Sequence, residues 1–536
     1  MYLVTGEEMK RLDQETIQNY FLPGMVLMEQ AALRIVELVS FKLNNQVMNK
    51  RILVFAGKGN NGGDGFAAAR LLDQAGAGVS VFMICRPEEL AGDALTNYRA
   101  FQRLGGKIYL LQKEADLQRV ALALINTDLI IDALYGTGFK GNVGGLTADL
   151  LKMLNETNIP IIAVDLPSGL DVNTGQPGEI AIKADATVTF GLPKIGLLLE
   201  PGASFAGELW LGDISLPNQL IEKANFKTQL ITAQACQKLL PLRPIIGHKG
   251  TFGHVFVVGG SEGMTGAIYL ASEAALRTGA GLVTAGIPRS LNSILEVKTT
   301  EVMTRPLPET EAMSIGLEAL EPILSSQNNI DAYLFGPGMS QHSSTGSLLR
   351  AVLDRLEKPT VLDADALNLL RGEKLKELFR SVKSPLVITP HPGEMAGLLG
   401  INAGEVQADR IQTAKKAARD WQVVVVLKGA KTLVADPQGN LYVNPSGNSG
   451  LATGGSGDVL GGMIASLLGQ GLKATEASVL AVYLHGLAGD LGAEKKGQFS
   501  LTAGDLLDFL PASFLSLEQG SFNKQPIINE RLIKIS

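Results

Sequence analysis

The feature that most restricts the fold of this chain is a repeated succession of a short apolar run, a turn rich in glycine or aspartate, and a helical stretch. The runs are continuous rather than alternating, which is typical of strands buried on both faces of a parallel sheet. Six of them occur early, at residues 52–56, 79–85, 128–132, 160–165, 186–190 and 208–211. This order of elements predicts a doubly wound α/β domain.

A second α/β series follows, with runs at residues 254–258, 282–286, 331–335, 360–362, 386–389 and 423–427. The turn residues 436–439 between residues 432–435 and 440–443 predict a hairpin. Between the two series, residues 213–237 are polar and contain proline, so we predict a boundary near 218–230. The chain is thus expected to hold two α/β domains, residues 1–218 and 229–521.

Composition narrows the class of function. The net charge is −6 and no long basic run occurs, which argues against binding to nucleic acid or to a membrane surface. Two cysteines exclude a disulfide framework, and no apolar run reaches the ~18 residues of a membrane span. The start of the chain is charged too early for a signal peptide. We therefore expect a cytoplasmic protein that acts on small molecules.

Histidine is confined to one part of the chain, because all five histidines follow residue 247. The first domain therefore has neither histidine-based acid–base catalysis nor a histidine-ligated metal. Its chemistry is expected at the carboxyl ends of its strands, where α/β folds bind ligands. A glycine-rich loop at residues 57–65 leads there into a helix, and its backbone N–H groups suit an anion. An ordinary NAD dehydrogenase and a merely structural glycine turn remain alternatives.

Two further strand ends of the first domain carry polar groups. Asp132 precedes a second glycine-rich loop, and Asp165 precedes Ser168. Since both aspartates close apolar strands, we expect them to point into one crevice. Their carboxylates, with an amide oxygen and a hydroxyl, form a hard-oxygen set that could hold a cation. The alternative is that each aspartate caps a helix.

These motifs, GKGNNGGDG, DALYGTGFKGN and VDLPSGLDVNTG, closely resemble the NAD(P)H-hydrate epimerase family, which has a Rossmann-like three-layer α/β/α fold. The resemblance implies interconversion of the R and S epimers of hydrated NADH and NADPH. It implies a potassium ion bound by Asn61, Asp132 and Ser168, and substrate contact by Asp165, which we expect to assist loss and re-addition of water. The other implied substrate-binding residues are Asn60, Asn61, Gly62, Gly63, Asp64, Gly136, Thr137, Gly138, Phe139, Lys140, Gly141 and Asn142.

The second domain carries its own glycine-rich element before a helix, residues 448–458, which ends in Gly457-Asp458. Its N–H groups are suited to the charge on a transferred phosphoryl group, and Asp458 is placed to accept a hydroxyl proton. Asp458 could instead act simply as the N-cap of that helix. For Asp363 and Asp365, two alternatives remain: they bind magnesium, or they have a structural role. His485 lies in a mostly apolar helix and is expected to be packed or hydrogen-bonded.

The segments KGTFGHVFVVGGS, GPGMS, TPHPGEM, LKGAKT and NSGLATGGSGDVLGGM resemble the ADP/ATP-dependent NAD(P)H-hydrate dehydratases, which have a ribokinase-like α/β fold. The resemblance implies that Ala267, Gly338, His391 and Asp458 contact the hydrate. Implied nucleotide-binding residues are Lys428, Gly429, Ala430, Lys431, Thr432, Asn448, Thr453, Gly454, Gly455, Ser456 and Gly457. It also implies magnesium with the nucleotide, and Asp458 as the catalytic residue.

The two resemblances together predict a bifunctional metabolite-repair enzyme. The first domain would epimerise the hydrates, and the second would dehydrate the S form with ADP, giving AMP and phosphate. We expect a homo-oligomer without nucleic-acid or membrane partners. The alternative is a kinase of a small alcohol or vitamin precursor with a first domain that only binds a ligand.

Overall fold

The computed structural model describes residues 1–520, 527–529 and 531–535, which form two compact units. The N-terminal unit contains Tyr2–Phe226 together with the described residues beyond 526. The C-terminal unit contains Met1 and the described residues from Lys227 to 520. Each unit has one mostly parallel sheet with helices, so the predicted α/β class is confirmed.

Strands at regular intervals along the chain build both sheets. They are β1 (Arg51–Ala56), β2 (Gly78–Met83), β3 (Lys107–Leu110), β4 (Leu129–Ala133), β5 (Ile161–Val164), β6 (Ala186–Phe190), β7 (Glu208–Gly212), β8 (Thr228–Leu230), β9 (His254–Val258), β10 (Leu282–Pro288), β11 (Met303–Leu307), β12 (Ala332–Phe335), β13 (Thr360–Leu362), β14 (Leu386–Ile388), β15 (Val424–Leu427), β16 (Leu433–Ala435), β17 (Leu441–Val443), β18 (Ile527–Asn529) and β19 (Leu532–Lys534).

Helices alternate with these strands. They are α1 (Gly6–Asn19), α2 (Gly24–Lys42), α3 (Asn60–Gln74), α4 (Gly92–Arg103), α5 (Glu114–Leu124), α6 (Gly145–Asn155), α7 (Gly202–Ala206), α8 (Asn218–Lys223), α9 (Ala233–Gln237), α10 (Thr265–Arg277), α11 (Asn292–Lys298), α12 (Leu320–Leu324), α13 (Ser343–Arg355), α14 (Asp365–Asn368), α15 (Leu375–Ser381), α16 (Pro392–Leu399), α17 (Ala403–Ala408), α18 (Arg410–Trp421), α19 (Ser456–Gly469), α20 (Ala474–Lys496) and α21 (Ala503–Glu518). Among the described residues, none of these helices is long and apolar enough to cross a membrane.

The sheet of the N-terminal unit has the strand order β18-β19-β7-β6-β5-β4-β1-β2-β3. Strands β1 to β7 are parallel, and β19 pairs antiparallel with β7. The chain order reverses between β1 and β4, and a crevice opens at such a switch point beyond the carboxyl ends of the strands. The loops that follow β1 and β4 therefore meet there.

The apolar runs are buried on both faces of this sheet. In β1, Ile52, Val54 and Ala56 join one apolar cluster, whereas Leu53 and Phe55 join a second cluster on the opposite face. Successive side chains of a strand point to opposite faces, so a run without polar positions requires a cover on each side. Helices provide that cover, as the continuous runs predicted.

The sheet of the C-terminal unit has the order β11-β10-β9-β12-β13-β14-β15-β16-β17-β8. It is parallel from β11 to β15, and its switch point lies between β9 and β12. The predicted hairpin is confirmed, since β16 and β17 pair antiparallel with Ala435 opposite Leu441. Both units therefore place a crevice by the same rule of topology.

The central strands match the predicted apolar runs, whereas five other strands were not predicted. The missed strands are β3, β8, β11, β18 and β19, four of which lie at a sheet edge. Thr5 and Glu8 form a capping box at the start of α1. Helix α19 begins at Ser456, two residues before the predicted start.

Candidate active sites

A cavity of about 870 Å³ lies at the switch point of the N-terminal unit, bordered by the loops after β1, β4 and β5. Nine of the predicted site residues line it: Asn60, Asn61, Asp64, Gly136, Thr137, Gly138, Phe139, Lys140 and Asp165. Gly62 and Gly63 are buried in α3, while Gly141 and Asn142 are exposed. The structure thus brings the three predicted loops to one cavity.

Two glycines of the first loop are required by close backbone packing. A Cβ atom built on Gly57 would lie 1.9 Å from the Leu134 carbonyl oxygen, and one on Gly62 would lie 2.0 Å from the Gly57 carbonyl oxygen. A side chain at Gly57 would push the loops after β1 and β4 apart, and one at Gly62 would push the start of α3 away from the loop before it. These glycines therefore have a structural role, because they allow the loops that border the cavity to pack closely.

Asp165 is held by a buried lysine. Lys194 Nζ lies 2.6 Å from Asp165 Oδ1, and the lysine side chain is only 1% exposed. Thr189 Oγ1 also donates to Asp165 Oδ1, at 3.1 Å. Asp165 has a φ of 65°, a left-handed conformation that is uncommon for a non-glycine residue and is often found at functional sites. The Asp165 side chain is therefore fixed in position where it lines the cavity.

Two more carboxyl groups line the same cavity near Asp165. Burial, and then Asp165 and Asp13, hold the pKa of Asp64 well above its usual range. Burial raises the pKa of Asp13 to about 6, although Lys194 opposes the shift. Asp13 Oδ1 is buried and has no hydrogen-bond partner in the described part of the chain. The cavity therefore contains more carboxyl groups than buried ammonium groups.

The predicted cation ligands lie at the base of the same loops. Asp132 is fully buried and accepts hydrogen bonds from Ser168 Oγ at 2.6 Å and Ser168 N at 2.8 Å. Helix capping by Asp132, the alternative from sequence, is wrong, because its partners lie in a turn rather than at a helix start. Burial raises the pKa of Asp132 to about 6. Asn61 Nδ2 donates to the Tyr135 carbonyl, whereas Asn61 Oδ1 is buried without a partner among the described residues.

In the C-terminal unit, two of the predicted hydrate-contacting residues meet at the switch point. Gly338 has a φ of 58°, and a Cβ atom built on it would lie 3.3 Å from Ala267 Cβ. Ser261 Oγ donates to the Gly338 carbonyl at 2.9 Å and fixes the loop after β12 to the loop after β9. The loops after β9 and β12 are therefore in close contact at the switch point.

The glycine-rich element before α19 has the geometry of an anion-binding site. Gly455, with a φ of 92°, is the N-cap residue, and α19 starts at Ser456. Asp458 therefore lies in the first turn of the helix and is not its N-cap, which corrects the alternative from sequence. The free N–H groups at the helix start point toward any bound anion, and the helix dipole favours negative charge there.

A partly buried lysine lies beside this helix start. Lys428 Nζ is 2.6 Å from Asp363 Oδ1 and 3.7 Å from Glu394 Oε2. A Cβ atom built on Gly457 would lie 3.2 Å from Lys428 Nζ, so the ammonium borders the first turn of α19. Burial alone would lower the pKa of Lys428, but Asp363 and Glu394 outweigh burial and raise it. The ammonium is therefore a permanent positive charge at the anion-binding loop.

Asp458, in contrast to Asp363, forms no ion pair with a lysine in the described part of the chain. Burial, and then the neighbouring Asp363 carboxylate, raise the pKa of Asp458 to about 7, although Lys428 opposes the shift. The same causes raise the pKa of Glu394 to about 7. A carboxylate with a pKa near neutrality is suited to accept a proton from a hydroxyl group.

The remaining predicted nucleotide-binding residues lie in loops that other side chains hold. Arg410 donates to the carbonyls of Leu427 and Ala430 and so shapes the loop of residues 428–432. The side chain of Asn448 is bound to Asp490 Oδ1, so it holds its own loop to α20. His485 Nε2 lies 3.0 Å from the Ser456 carbonyl and is packed and hydrogen-bonded, as expected from sequence.

His391 lies at the start of α16 and caps that helix. Its Nδ1 accepts hydrogen bonds from Gly393 N and Glu394 N. Burial, and then Lys428, lower the pKa of His391, so the ring is neutral at pH 7. The side chain is half exposed, and its Nε2 lies 3.4 Å from Glu394 Oε1.

Sequence reasoning missed Asp13, Lys194 and Glu394. Asp13 follows the buried Met9 by four residues, so it falls on the buried face of α1, and a carboxylate on an apolar face was the available signal. Lys194 is likewise the one charged residue in the stretch 191–199. Glu394 stands in the TPHPGEM segment and gave no signal, since it reads as an ordinary residue of a helix start.

Comparison with known proteins adds an independent observation. The family described as YjeF-related protein N-terminus matches residues 24–196, and the family described as NAD(P)H-hydrate dehydratase matches residues 255–512. A bifunctional NAD(P)H-hydrate repair enzyme from Moorella thermoacetica is 50% identical over 97% of this chain and 98% of its own length. Another, from Thermofilum pendens, is 37% identical over 97% of each chain.

A solved structure also resembles the C-terminal part. The ADP/ATP-dependent NAD(P)H-hydrate dehydratase from Bacillus subtilis, co-crystallised with ATP and Mg²⁺, matches with 32% identity and a TM-score of 0.48, and covers 54% of this chain and 99% of its own. The two repair enzymes match almost the full length, across both units. The chain therefore belongs to the family of bifunctional NAD(P)H-hydrate repair enzymes, which combine an epimerase unit with a dehydratase unit.

Proposed function

We propose that the N-terminal unit interconverts the R and S hydrates of NADH and NADPH at Asp165, and that the C-terminal unit dehydrates the S form at Asp458 with ADP as phosphoryl donor. The observation that carries the proposal is the position of Asp458. Its carboxylate, with a pKa of about 7, lies in the first turn of α19 and next to the Lys428 ammonium. This arrangement suits phosphoryl transfer to a hydroxyl group.

In the dehydratase unit, Asp458 accepts the proton of the hydrate hydroxyl while that oxygen bonds to the terminal phosphorus of ADP. The bond from phosphorus to AMP breaks, and its electron pair leaves with AMP. The N–H groups at residues 453–457 and the Lys428 ammonium stabilise the charge that develops on the phosphoryl group. The carbon–oxygen bond then breaks toward phosphate, assisted by the ring nitrogen, and loss of a ring proton restores the dihydronicotinamide.

In the epimerase unit, the hydroxyl group leaves the ring carbon as water, again with the ring nitrogen supplying electrons. Water then adds to the opposite face and loses a proton. Asp165 is the proton acceptor, because Lys194 and Thr189 fix its carboxylate at the cavity wall. The loops after β1 and β4 hold the pyrophosphate through their N–H groups, which suits a protein that is not basic overall.

Potassium is proposed for the epimerase unit, held by Asn61, Asp132 and Ser168. The buried Asn61 Oδ1 without a hydrogen-bond partner, together with the buried Asp132 carboxylate, fits a cation with oxygen ligands. The ion would supply positive charge that fixes the two loops around the substrate.

Magnesium is proposed for the dehydratase unit, where it would neutralise the nucleotide phosphates. Among the described residues, no group of three or more His, Cys, Asp or Glu side chains is arranged to hold a metal ion. This fits a magnesium ion bound mainly by phosphates and water. We further propose a cytoplasmic homo-oligomer, which light scattering of the purified protein would test.

A mixture of R and S hydrates tests both units in one reaction. With ADP, we expect full conversion to the dihydronicotinamide. The conversion is measured by the near-ultraviolet absorbance of the dihydronicotinamide. Conversion of only half the mixture would contradict the epimerase assignment, and a stable phosphorylated hydrate would contradict the dehydratase assignment. The same reaction with ATP in place of ADP tests the choice of donor, since faster conversion with ATP would contradict it.

A further inference from the structure

Three of the carboxyl groups that line the cavity of the N-terminal unit are grouped around one buried ammonium, and this imbalance has a chemical consequence. Asp13 comes from α1, Asp64 from α3 and Asp165 from the end of β5, and all three line the cavity with Lys194. Asp165 and Asp13 both act electrostatically on Asp64, and Asp165 also acts on Asp13. In a desolvated site, like charges at short distance cannot all remain ionised.

The hydrogen bonds of Lys194 show which carboxyl group it pairs with. Its three hydrogens are directed to Asp165 Oδ1 at 2.6 Å, Phe190 O at 2.9 Å and Thr189 Oγ1 at 3.1 Å. An ammonium group has three donors, so none is left for Asp64 or Asp13. Asp165 is therefore the carboxyl group that Lys194 pairs with, and neither Asp64 nor Asp13 forms an ion pair among the described residues.

An epimerisation by loss and re-addition of water needs two proton transfers of opposite direction. An acid must give a proton to the departing hydroxyl, and a base must take one from the water that adds. One ion-paired carboxylate supplies only the base. A second carboxyl group, kept neutral by its neighbours, would supply the acid, as paired carboxyl groups with different surroundings do in other acid–base enzymes.

We propose that Asp64 is the acid of the epimerase site, and that Asp13 and Lys194 are positioning residues that keep Asp64 protonated and Asp165 ionised. Asp64 gives its proton to the hydroxyl oxygen as the carbon–oxygen bond breaks, and water leaves with the electron pair of that bond. The ring nitrogen supplies electrons to the carbon. Water then adds from the other face, and its proton passes to Asp165. Proton exchange with solvent resets the pair.

The shifts of the two groups agree with this division. The pKa of Asp64 is raised by burial and then by Asp165 and Asp13, and Lys194 only partly opposes the rise. The pKa of Asp13 is about 6, so at neutral pH Asp13 is mostly ionised and acts on Asp64 as a negative charge. These are the titratable groups that act on Asp64 from α1, from the end of β5 and from the segment after β6.

The inference rests on the proposed epimerase function and is tested by the pH dependence of epimerisation. Pure R hydrate is incubated with the full chain without nucleotide, and the S epimer is measured by chromatography from about pH 5 to about pH 9. In the wild type, the rate should fall at high pH as Asp64 loses its proton. Asp13→Asn removes the neighbouring negative charge, so this fall should move to lower pH by about one unit or more.

Glu15→Gln is the matched control, because it removes a carboxylate from the exposed part of the same helix. It should leave the fall at its wild-type position. Asp64→Asn should lower the rate by about 10²-fold or more at every pH, since the acid is lost. Asp13→Glu, which keeps the charge, should restore the wild-type profile.

Two results would overturn the inference. The first is an Asp13→Asn enzyme that is slower but has an unmoved alkaline fall, which indicates a purely structural role. The second is an Asp64→Asn enzyme with the full rate. Either result in a chain that still epimerises leaves the proposed function intact, whereas a wild-type chain without epimerase activity contradicts the proposed function itself.

Discussion

The two units place their sites by the same topology but distribute charge differently. In each, one ammonium lies 2.6 Å from one carboxylate, Lys194 on Asp165 and Lys428 on Asp363. In the N-terminal unit the paired carboxylate lines the cavity and is proposed to react. In the C-terminal unit the paired Asp363 is 1% exposed, and the carboxylate proposed to react is the unpaired Asp458.

The two units therefore use carboxylates in two different environments as the general base. A carboxylate held by a lysine is fixed in position beside a positive charge. A carboxylate without its own cation has a higher pKa and accepts a proton more strongly, but only above that pKa. The two activities of one chain should therefore respond differently to the same perturbations.

The largest expected effect is from Asp458→Asn. It removes the base of the dehydratase unit and should lower conversion of S hydrate with ADP by about 10³-fold or more. Epimerisation of R hydrate should be unchanged, because that site belongs to the other unit. Loss of both activities would indicate misfolding, and retention of dehydratase activity would contradict the assigned role.

Asp165→Asn should have a somewhat smaller effect on the other activity. Epimerisation is expected to fall by about 10²-fold, since a spontaneous reaction and the remaining carboxyl groups persist. Dehydration of pure S hydrate serves as the internal control and should proceed at the wild-type rate. Full epimerase activity in this variant would show that Asp165 is not the acceptor.

Lys428→Met compares the stability contributed by a buried and an exposed ion pair. It leaves the buried Asp363 carboxylate without its partner and should lower the free energy of unfolding by about 3–5 kcal/mol. Lys383→Met is the control, since its pair with Glu357 is more than half exposed and should contribute less than about 1 kcal/mol. Urea unfolding in a Trp210→Phe background would leave Trp421, in the C-terminal unit, as the only tryptophan reporter. Equal losses in both variants would contradict the buried pairing.

The smallest effect is on pH dependence. Asp458 must be ionised to accept a proton, and its pKa is about 7. The dehydratase rate should therefore rise about tenfold from pH 6 to pH 8, whereas the epimerase rate has no step of this origin there. A flat dehydratase profile over this range, measured with saturating S hydrate, would contradict an unpaired base.

Much of this could be predicted from sequence, and the reason lies in how the central strands are buried. Runs such as residues 52–56 of β1 or β15 have a cover on both faces, so every position of the run is apolar and the run is easy to recognise. Edge strands have no such requirement. β11 contains Pro306 and has only one buried residue, Leu307, which is tolerated at an edge but hides the strand from pattern recognition.

The candidate sites divide in the same way. The glycine-rich loops were predictable because their residue types stand together in sequence, and the predicted bifunctional repair activity is confirmed by the family. Asp13 and Lys194 were not predictable. They are 181 positions apart in the sequence, and only the fold brings them to the same cavity as Asp165. Glu394 similarly meets Lys428 only through the packing of β14 against β15.

The strand β19 has a consequence for how this protein is made. It pairs with β7 in the sheet of the N-terminal unit, although some 320 residues lie between them. At about 5–20 residues per second, a ribosome needs roughly 15–60 s to synthesise that interval. During this time the outer edge of β7 has unpaired N–H and C=O groups, which favour aggregation. The first unit to be translated is thus the last to be completed, and a gene cut after residue 226 would yield a product with that edge permanently open.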